Sequence, residues 1–311
     1  MDRRNVALAR GTSRTRVWPT SGMGASWGRY RYASISDQRR LVLNKQKDVK
    51  VPDPINVMVT GATGKIGQTL MEDLDDRFTL TGTSRSPNDD PRFIQLDFDN
   101  VDAVAEAFAG QDVVVHMHAK SNHNTDNFDE YLGPNVVGAW NAYEAARKAG
   151  VRRLIYASSN HATGWYEMVG DRCDAESLPR PDGIYGAAKV WGETVGRYFS
   201  DRFGLEVIVL RIGSYEYRAK PTDFTMGPRI LSTWLSDRDL VNLTERAILT
   251  PDIKYGIYYG ISANARAYWD ITNAVSELGY RPVDNAENYA SEVLTKGGVY
   301  SLWGFEVEGM V

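Results

Sequence analysis

Val57-Met58-Val59-Thr60-Gly61-Ala62-Thr63-Gly64-Lys65-Ile66-Gly67 joins a short apolar run to three glycines spaced three residues apart. The apolar run is typical of a buried strand, and helical spacing follows the last glycine. Gly61, Gly64 and Gly67 would let the backbone turn tightly, approach a pyrophosphate and pack the helix on the strand. Free N–H groups at the helix N-terminus would then face the phosphates. The segment therefore predicts a dinucleotide site rather than a plain strand–helix turn.

Strands and helices alternate from this segment to about residue 211. Apolar runs predict strands at 55–60, 78–83, 93–96, 113–117, 154–157 and 206–211, with helical spacing between them. This alternation is typical of an α/β fold with a doubly wound, Rossmann-like parallel sheet. We expect a single domain over 51–311. Residues 51–213 would mainly bind the dinucleotide, and 214–311 would form a small C-terminal substrate lobe plus a late sheet strand at 255–262.

Composition restricts the class of protein. The 311 residues are 42% apolar, with no apolar run near the roughly 20 residues of a membrane span. A single cysteine, Cys173, excludes an intramolecular disulfide and fits a reducing compartment. His116 and His118 share one face of a predicted strand, but no cysteine or carboxylate cluster supports a metal site. We expect a cytoplasmic protein without a metal and without a membrane partner.

The charge of the chain is divided unevenly. Residues 1–50 hold nine Arg, three Lys and three Asp, a net of +9, and the overall charge of −4 leaves −13 for the rest. An acidic body argues against nucleic-acid binding, which needs a basic footprint. We predict that 1–50 are an N-terminal extension, either disordered or translated from an upstream start codon. An organelle transit peptide is the less favoured alternative.

Tyr185 and Lys189 stand four residues apart, 124 residues after Gly61. That spacing places them on one helix face, where the ammonium would favour the phenolate of a tyrosine whose ordinary pKa is about 10. Ser159 ends an apolar run, so its hydroxyl can orient a substrate oxygen. We predict Tyr185 as the general base of a carbinol oxidation, Lys189 as its tuner and ribose anchor, and Ser159 as the orienting group. The alternative for Tyr185 is a half-buried helix aromatic.

Residues after the second, third and fourth predicted strands would meet the nucleotide. An acidic residue after the second strand would bind the adenosine 2′-hydroxyl, whereas the hydroxyl and cation found there favour the 2′-phosphate of NADP. NAD binding beside a solvated Arg85 stays open. We expect cofactor contacts from Ser84, Arg85, Asp97, Phe98 and His118.

Several further segments are more specific than the glycine loop: Ala157-Ser158-Ser159-Asn160-His161, Arg180-Pro181-Asp182-Gly183-Ile184-Tyr185-Gly186, Arg211-Ile212-Gly213-Ser214, Leu231-Ser232-Thr233-Trp234-Leu235-Ser236 and Tyr259-Gly260-Ile261-Ser262-Ala263-Asn264. With them, residues 55–311 resemble the extended short-chain dehydrogenase/reductase family, the NAD-dependent epimerase/dehydratase group. Within it, the chain is most similar to uronate dehydrogenases, which oxidise C1 of a hexuronic acid to the lactone.

The resemblance implies a role for individual positions. It implies substrate contacts from Ser121, Ser159, Asn160, His161 and Arg229, and cofactor contacts from Lys65, Ile66, Asp97, Phe98, Lys189 and Ile212. A guanidinium at 229 suits a C6 carboxylate. The resemblance also implies a sugar-acid substrate and a homo-oligomer, a dimer or larger, because helices predicted at 127–149 and 185–203 resemble those that pair across dimers.

Two departures from the family keep alternatives open. Ser84 stands where the family usually has an acidic residue, so the resemblance implies NAD whereas the residues favour NADP. The loop 215–228 carries Arg218 and Lys220 beside the expected carboxylate site, where a phosphate could bind instead. The alternatives are a dehydrogenase of glucose 6-phosphate or of a neutral aldose, a nucleotide-sugar epimerase, and a non-catalytic nucleotide-sensing module.

Overall fold

The computed structural model describes residues 54–121 and 125–296. Within them seven strands form one sheet: β1 Asn56–Thr60, β2 Thr79–Ser84, β3 Phe93–Gln95, β4 Val113–His116, β5 Arg153–Ser159, β6 Glu206–Ile212 and β7 Tyr255–Gly260. Every neighbouring pair is parallel, in the order β3-β2-β1-β4-β5-β6-β7. The predicted doubly wound α/β fold is confirmed. The order reverses between β1 and β4, where such sheets open a ligand crevice at their carboxyl edge.

The longer helices of the described residues lie between these strands and after them. They are α1 Lys65–Asp73, α2 Val101–Ala107, α3 Gly138–Ala149, α4 Gly164–Met168, α5 Ile184–Phe203, α6 Asp237–Leu249 and α7 Ala290–Thr295. Shorter turns are α-helical at Asp129–Tyr131 and Ile230–Thr233, π-helical at Leu132–Val137 and Ala274–Leu278, and 3₁₀ at Asn160–Thr163, Pro221–Asp223, Gly227–Arg229 and Ala286–Tyr289.

Two apolar layers bury both faces of the sheet. Val57 and Val59 of β1 pack into the layer that contains α1 and α6, whereas Met58 packs into the layer that contains α2, α3 and α5. Successive strand residues point to opposite faces, so a strand covered on both sides is apolar throughout. The continuous apolar runs of the sequence are explained by this double cover.

Two predicted boundaries were wrong. β5 does not end at Ala157 but continues to Ser159, which pairs with Ile212 of β6. The single helix predicted over 127–149 is interrupted by the π turn Leu132–Val137. That turn contains Pro134, whose missing N–H and ring oppose an ordinary α-helical turn.

A smaller apolar cluster lies in the C-terminal part of the chain, beyond β6. Ile230, Leu231 and Trp234 pack with Ala286 and Val293. None of the helices in the described part of the chain is long and apolar enough to cross a membrane. The predicted N-terminal extension, residues 1–50, lies outside the described residues, as do 51–53, 122–124 and 297–311.

Candidate active site

The glycine loop lies at the carboxyl end of β1 and leads into α1. Gly61 has a φ of +63°, in the left-handed region that glycine adopts without strain. A Cβ on Gly67 would overlap the Gly61 carbonyl oxygen, so only glycine allows the helix to start this close to the strand. Gly64 caps α1, and its N–H donates to the Gly61 oxygen at 2.9 Å. The glycines leave the N-terminus of α1 open to a ligand, and the N–H groups there suit the pyrophosphate of a dinucleotide.

The residues expected at the adenosine end follow β2 and β3. Ser84 is buried at the end of β2, and its hydroxyl donates to a backbone carbonyl two residues on. Arg85, the residue directly after β2, is exposed. Asp97 is exposed and accepts from the Asp99 N–H at 3.1 Å. The acidic partner of a ribose 2′-hydroxyl is therefore missing at the end of β2.

An aromatic stack lines the crevice beside the glycine loop. Phe98 and His118 stack with ring centroids 4.5 Å apart, and His116 lies 5.2 Å from Phe98. Burial lowers the pKa of His118 to about 4 and holds that of His116 well below its ordinary range, so both rings are neutral at pH 7. Nδ1 of His116 is 3.0 Å from Thr60 Oγ1. Across residues 54–121 and 125–296, no three His, Cys, Asp or Glu side chains stand close enough to hold a metal ion.

Tyr185 and Lys189 lie on the first turns of α5, Tyr185 half-buried and Lys189 buried. The Lys189 ammonium is 5.7 Å from the centre of the Tyr185 ring and donates to the Ala157 carbonyl at 2.8 Å. Burial raises the pKa of Tyr185 to about 12, opposed in part by hydrogen bonding with Ser159. Burial lowers the pKa of Lys189 to about 7, opposed by the charge of Glu193. The Lys189 ammonium would favour the phenolate form of Tyr185, and that phenolate would in turn favour the ammonium form of Lys189.

Ser159 links β5 to the next turn and lies beside β6. Its Oγ accepts from the His161 N–H at 3.2 Å, capping the turn Asn160–Thr163. In the amide orientation that satisfies its partners, Asn160 donates to Ser159 Oγ at 3.2 Å and to the Ile212 carbonyl at 3.1 Å. The same amide accepts from Arg229 at 2.9 Å. The fold thus brings Ser159 and Asn160 together with Ile212 and Arg229, which were predicted from other parts of the chain.

His161 is oriented by an aspartate that sequence reasoning did not assign to the site. Its Nδ1 lies 3.0 Å from both carboxylate oxygens of Asp182. Because a carboxylate accepts hydrogen bonds, Asp182 fixes the orientation of the His161 ring through Nδ1. The His161 ring stands edge-to-face with Tyr185, their centroids 5.5 Å apart. This arrangement adds a polar, fixed side chain directly beside the predicted base.

Arg229 forms a buried ion pair that the sequence did not predict. Its Nε lies 2.5 Å from Glu167 Oε1 and its NH2 lies 2.8 Å from Oε2. The side chains of Arg229 and Glu167 are only 9% and 5% exposed. Glu167 belongs to α4, a helix that the sequence analysis does not predict.

A second buried ion pair lies one turn beyond Lys189. Glu193 accepts from Arg211 at 3.0 Å and 2.8 Å and from the Ser158 hydroxyl at 2.5 Å. The charge of Glu193 also favours the charged form of Lys189, so this buried network acts on the predicted ribose anchor.

The first part of the loop that follows β6 contacts α1, whereas Met226 near its end lies 3.6 Å from NH1 of Arg229. Lys65 pairs with Glu216, and Arg218 pairs with Glu72 and Asp73 at 2.9 Å and 2.7 Å. The cation of Arg218, which prompted the phosphate alternative, is therefore engaged at the outer face of α1.

The remaining predicted residues are less central. Ile66 is half-buried and packs against the sheet layer that contains α1. Ser121 is exposed in irregular backbone directly before residues that are not described, with no hydrogen bond to the other predicted substrate contacts within the described residues.

The glycine loop before α1, together with Tyr185, Lys189 and Ser159, defines a nucleotide-dependent oxidoreductase. The chain belongs to the NAD dependent epimerase/dehydratase family, whose model matches residues 57–227.

Named relatives in this family act on sugars. The chain is 38% identical to the uronate dehydrogenase of Pseudomonas putida, over 77% of this chain and 88% of the relative. It is 36% identical to the L-arabinose 1-dehydrogenase (NAD(P)(+)) of Haloferax volcanii, over 74% and 97%. A crystal structure of a uronate dehydrogenase variant from Agrobacterium tumefaciens, complexed with NAD, aligns with a TM-score of 0.70 and 35% identity, over 78% of this chain and 89% of that one.

Proposed function

We propose that the protein oxidises C1 of a hexuronic acid, glucuronate or galacturonate, to the aldarolactone with NAD(P) as the acceptor. The observation that carries the proposal is the convergence of Ser159, Tyr185 and Lys189 at the carboxyl edge of the sheet, beside Asn160, His161 and Arg229. The uronate dehydrogenase relatives support the same reaction.

Each predicted site residue has a distinct role in the proposed oxidation of C1. Tyr185 accepts the proton of the C1 hydroxyl, and Ser159 donates a hydrogen bond to the same oxygen. Lys189 stabilises the phenolate that must form first, against the burial that raises the pKa of Tyr185. The glycine loop would hold NAD(P), and the bound nucleotide would accept the hydride that leaves C1. Asn160 and His161 bind sugar hydroxyls, and Arg229 of the substrate lobe binds the group carried on C5.

We favour NADP over NAD as the acceptor. Ser84 and the exposed Arg85 follow β2 without a carboxylate, so the site offers a cation and a hydroxyl to a 2′-phosphate. The site does not repel NAD, which agrees with the dual specificity in the name of the arabinose dehydrogenase relative. The proposal places the reaction in the cytoplasm, where both nucleotides are available.

Turnover of sugars with each nucleotide tests this proposal. Glucuronate, galacturonate, glucose, arabinose and glucose 6-phosphate are incubated with NAD or NADP, and the absorbance of the reduced nicotinamide is followed. We expect reduction with a hexuronate and a higher kcat/KM with NADP. Turnover of glucose 6-phosphate alone would contradict the substrate. Tightly retained nucleotide without net reduction would indicate an epimerase, and binding without any turnover would indicate a sensing module.

A neutral aldose is the second candidate substrate. The buried Glu167 beside Arg229 favours it, because the charge that would attract a substrate carboxylate is already compensated. The L-arabinose 1-dehydrogenase relative supports the same alternative.

We also propose that two copies pair through α3 and α5. These helices expose large apolar side chains, each about 40% exposed or more: Trp140, Trp191, Tyr198 and Phe203. Trp140 stacks on Tyr198 with centroids 6.2 Å apart, and Tyr198 contacts Phe203 at 5.7 Å, so these three exposed rings form one patch across both helices. Contiguous apolar patches of this kind are typical of interfaces.

Replacing Tyr198 with Glu should convert the dimer to a monomer, because a charge would be buried without a partner. Sedimentation velocity measures the change. Leu178→Glu is the matched control, since Leu178 is 77% exposed and lies outside both helices. A monomeric wild type, or a dimeric Tyr198→Glu, would contradict this interface.

A further inference from the structure

Glu167 occupies one edge of the guanidinium that is expected to meet the substrate. The pair uses Nε and NH2 of Arg229 and both oxygens of Glu167, a bidentate geometry. Both side chains are at least nine-tenths buried, so water screens the pair little. The carboxylate is therefore a fixed part of the site.

The other edge of Arg229 points back to the active site. NH1 lies 3.4 Å from Ser214 Oγ, and NH2 also donates to the Asn160 amide oxygen at 2.9 Å. Asn160 in turn contacts Ser159. A group on C5 of a sugar held by Ser159 and Tyr185 would thus approach Arg229 from the side opposite Glu167.

Arg229 and the carboxylates near it carry a net charge of zero or less at the expected position of the C5 substituent. Glu167 and the more distant Asp182 both act on the pKa of Arg229, which is raised despite its burial. A substrate carboxylate would meet a guanidinium already neutralised by Glu167 and would face a like charge across it. A hydroxyl meets no such repulsion, and it can accept a hydrogen bond from the guanidinium.

We propose that Glu167 is a specificity-determining residue that removes the preference of Arg229 for an anionic substituent, so that the enzyme accepts a neutral C5 substituent as well as a carboxylate. This inference rests on the proposed C1 oxidation. Glu167 does not take part in proton or hydride transfer. By disfavouring a carboxylate at Arg229, it sets the ratio of kcat/KM for acidic sugars to that for neutral sugars.

The test compares the ratio of kcat/KM for glucuronate to that for glucose, and for galacturonate to galactose, in wild type and Glu167→Gln. Glutamine keeps an oxygen that accepts from Arg229 and removes the charge. We expect the wild-type ratio to be within about tenfold of one, and the variant to raise it by about 10- to 100-fold, as for gain of one charge-assisted interaction. Glu176→Gln is the control, because Glu176 is exposed; its ratio should stay at the wild-type value.

Three outcomes would overturn the proposal. A wild type that prefers uronates by about a thousandfold would do so without any variant, even if Glu167→Gln failed to fold. An unchanged or lowered ratio in Glu167→Gln would leave C1 oxidation intact but make Glu167 only a positioning residue. A wild type that oxidises no sugar would overturn the proposed function together with this inference.

Discussion

Replacing Tyr185 with Phe should lower kcat for sugar oxidation by about a thousandfold, as expected for loss of a general base. In the proposed reaction the phenol is the proton acceptor, and hydrogen bonding with Ser159 opposes the burial that raises its pKa. Phenylalanine keeps the half-buried ring and its edge contact with His161. Nucleotide binding, measured by fluorescence or calorimetry, should stay close to wild type, because the glycine loop lies on another strand.

A neighbouring tyrosine provides the control. Tyr131 is also buried, with its ring centre 6.2 Å from that of Tyr185, but its hydroxyl donates to the Thr125 carbonyl. Tyr131→Phe should therefore retain most of kcat. Equal losses in the two variants would mean that packing, not proton transfer, explains the effect. Wild-type turnover by Tyr185→Phe would refute the catalytic assignment.

Replacing Glu193 with Ala should lower the free energy of unfolding by about 3–5 kcal/mol, the usual effect of removing one partner from a buried ion pair. Arg211 is 1% exposed and would lose both charged hydrogen bonds while remaining buried. Ser158 would lose its acceptor as well. Urea denaturation followed by tryptophan fluorescence measures the change.

Two comparisons separate charge from packing. Asp201→Ala removes an exposed ion pair with Arg197 on the same helix and should change stability little. The double variant Glu193→Met, Arg211→Met should recover much of the loss, because apolar residues replace both charges. A single variant no less stable than Asp201→Ala would contradict this account of the network.

The sheet could be predicted because its signals are local. Apolar runs such as Val113–His116 contain their own evidence of burial, and the glycine spacing of 61, 64 and 67 specifies the turn into α1. The boundary at β5 was missed because Ser158 and Ser159 are polar. They remain in the strand because the Ser158 hydroxyl donates to Glu193 and Ser159 pairs with Ile212 of β6.

The site was predictable in part. Tyr185 and Lys189 are related by helix spacing, which the sequence displays directly. Glu167 and Arg229 are 62 residues apart, and a lone glutamate in Trp165-Tyr166-Glu167-Met168 resembles an exposed helix residue. Asp182 had no pattern of its own, although the Arg180–Gly186 segment contained it. Contacts made only when the lobe folds against the sheet leave no periodic signal in either segment.

The measurement that tests the central claim most directly uses glucuronate deuterated at C1. With purified protein and NADP, the account predicts that deuterium appears on the reduced nicotinamide and that the sugar is recovered as the lactone, both read by NMR. Reduced nucleotide without deuterium would contradict hydride transfer from C1, and no reduction with any C1-deuterated uronate or aldose would contradict the account as a whole.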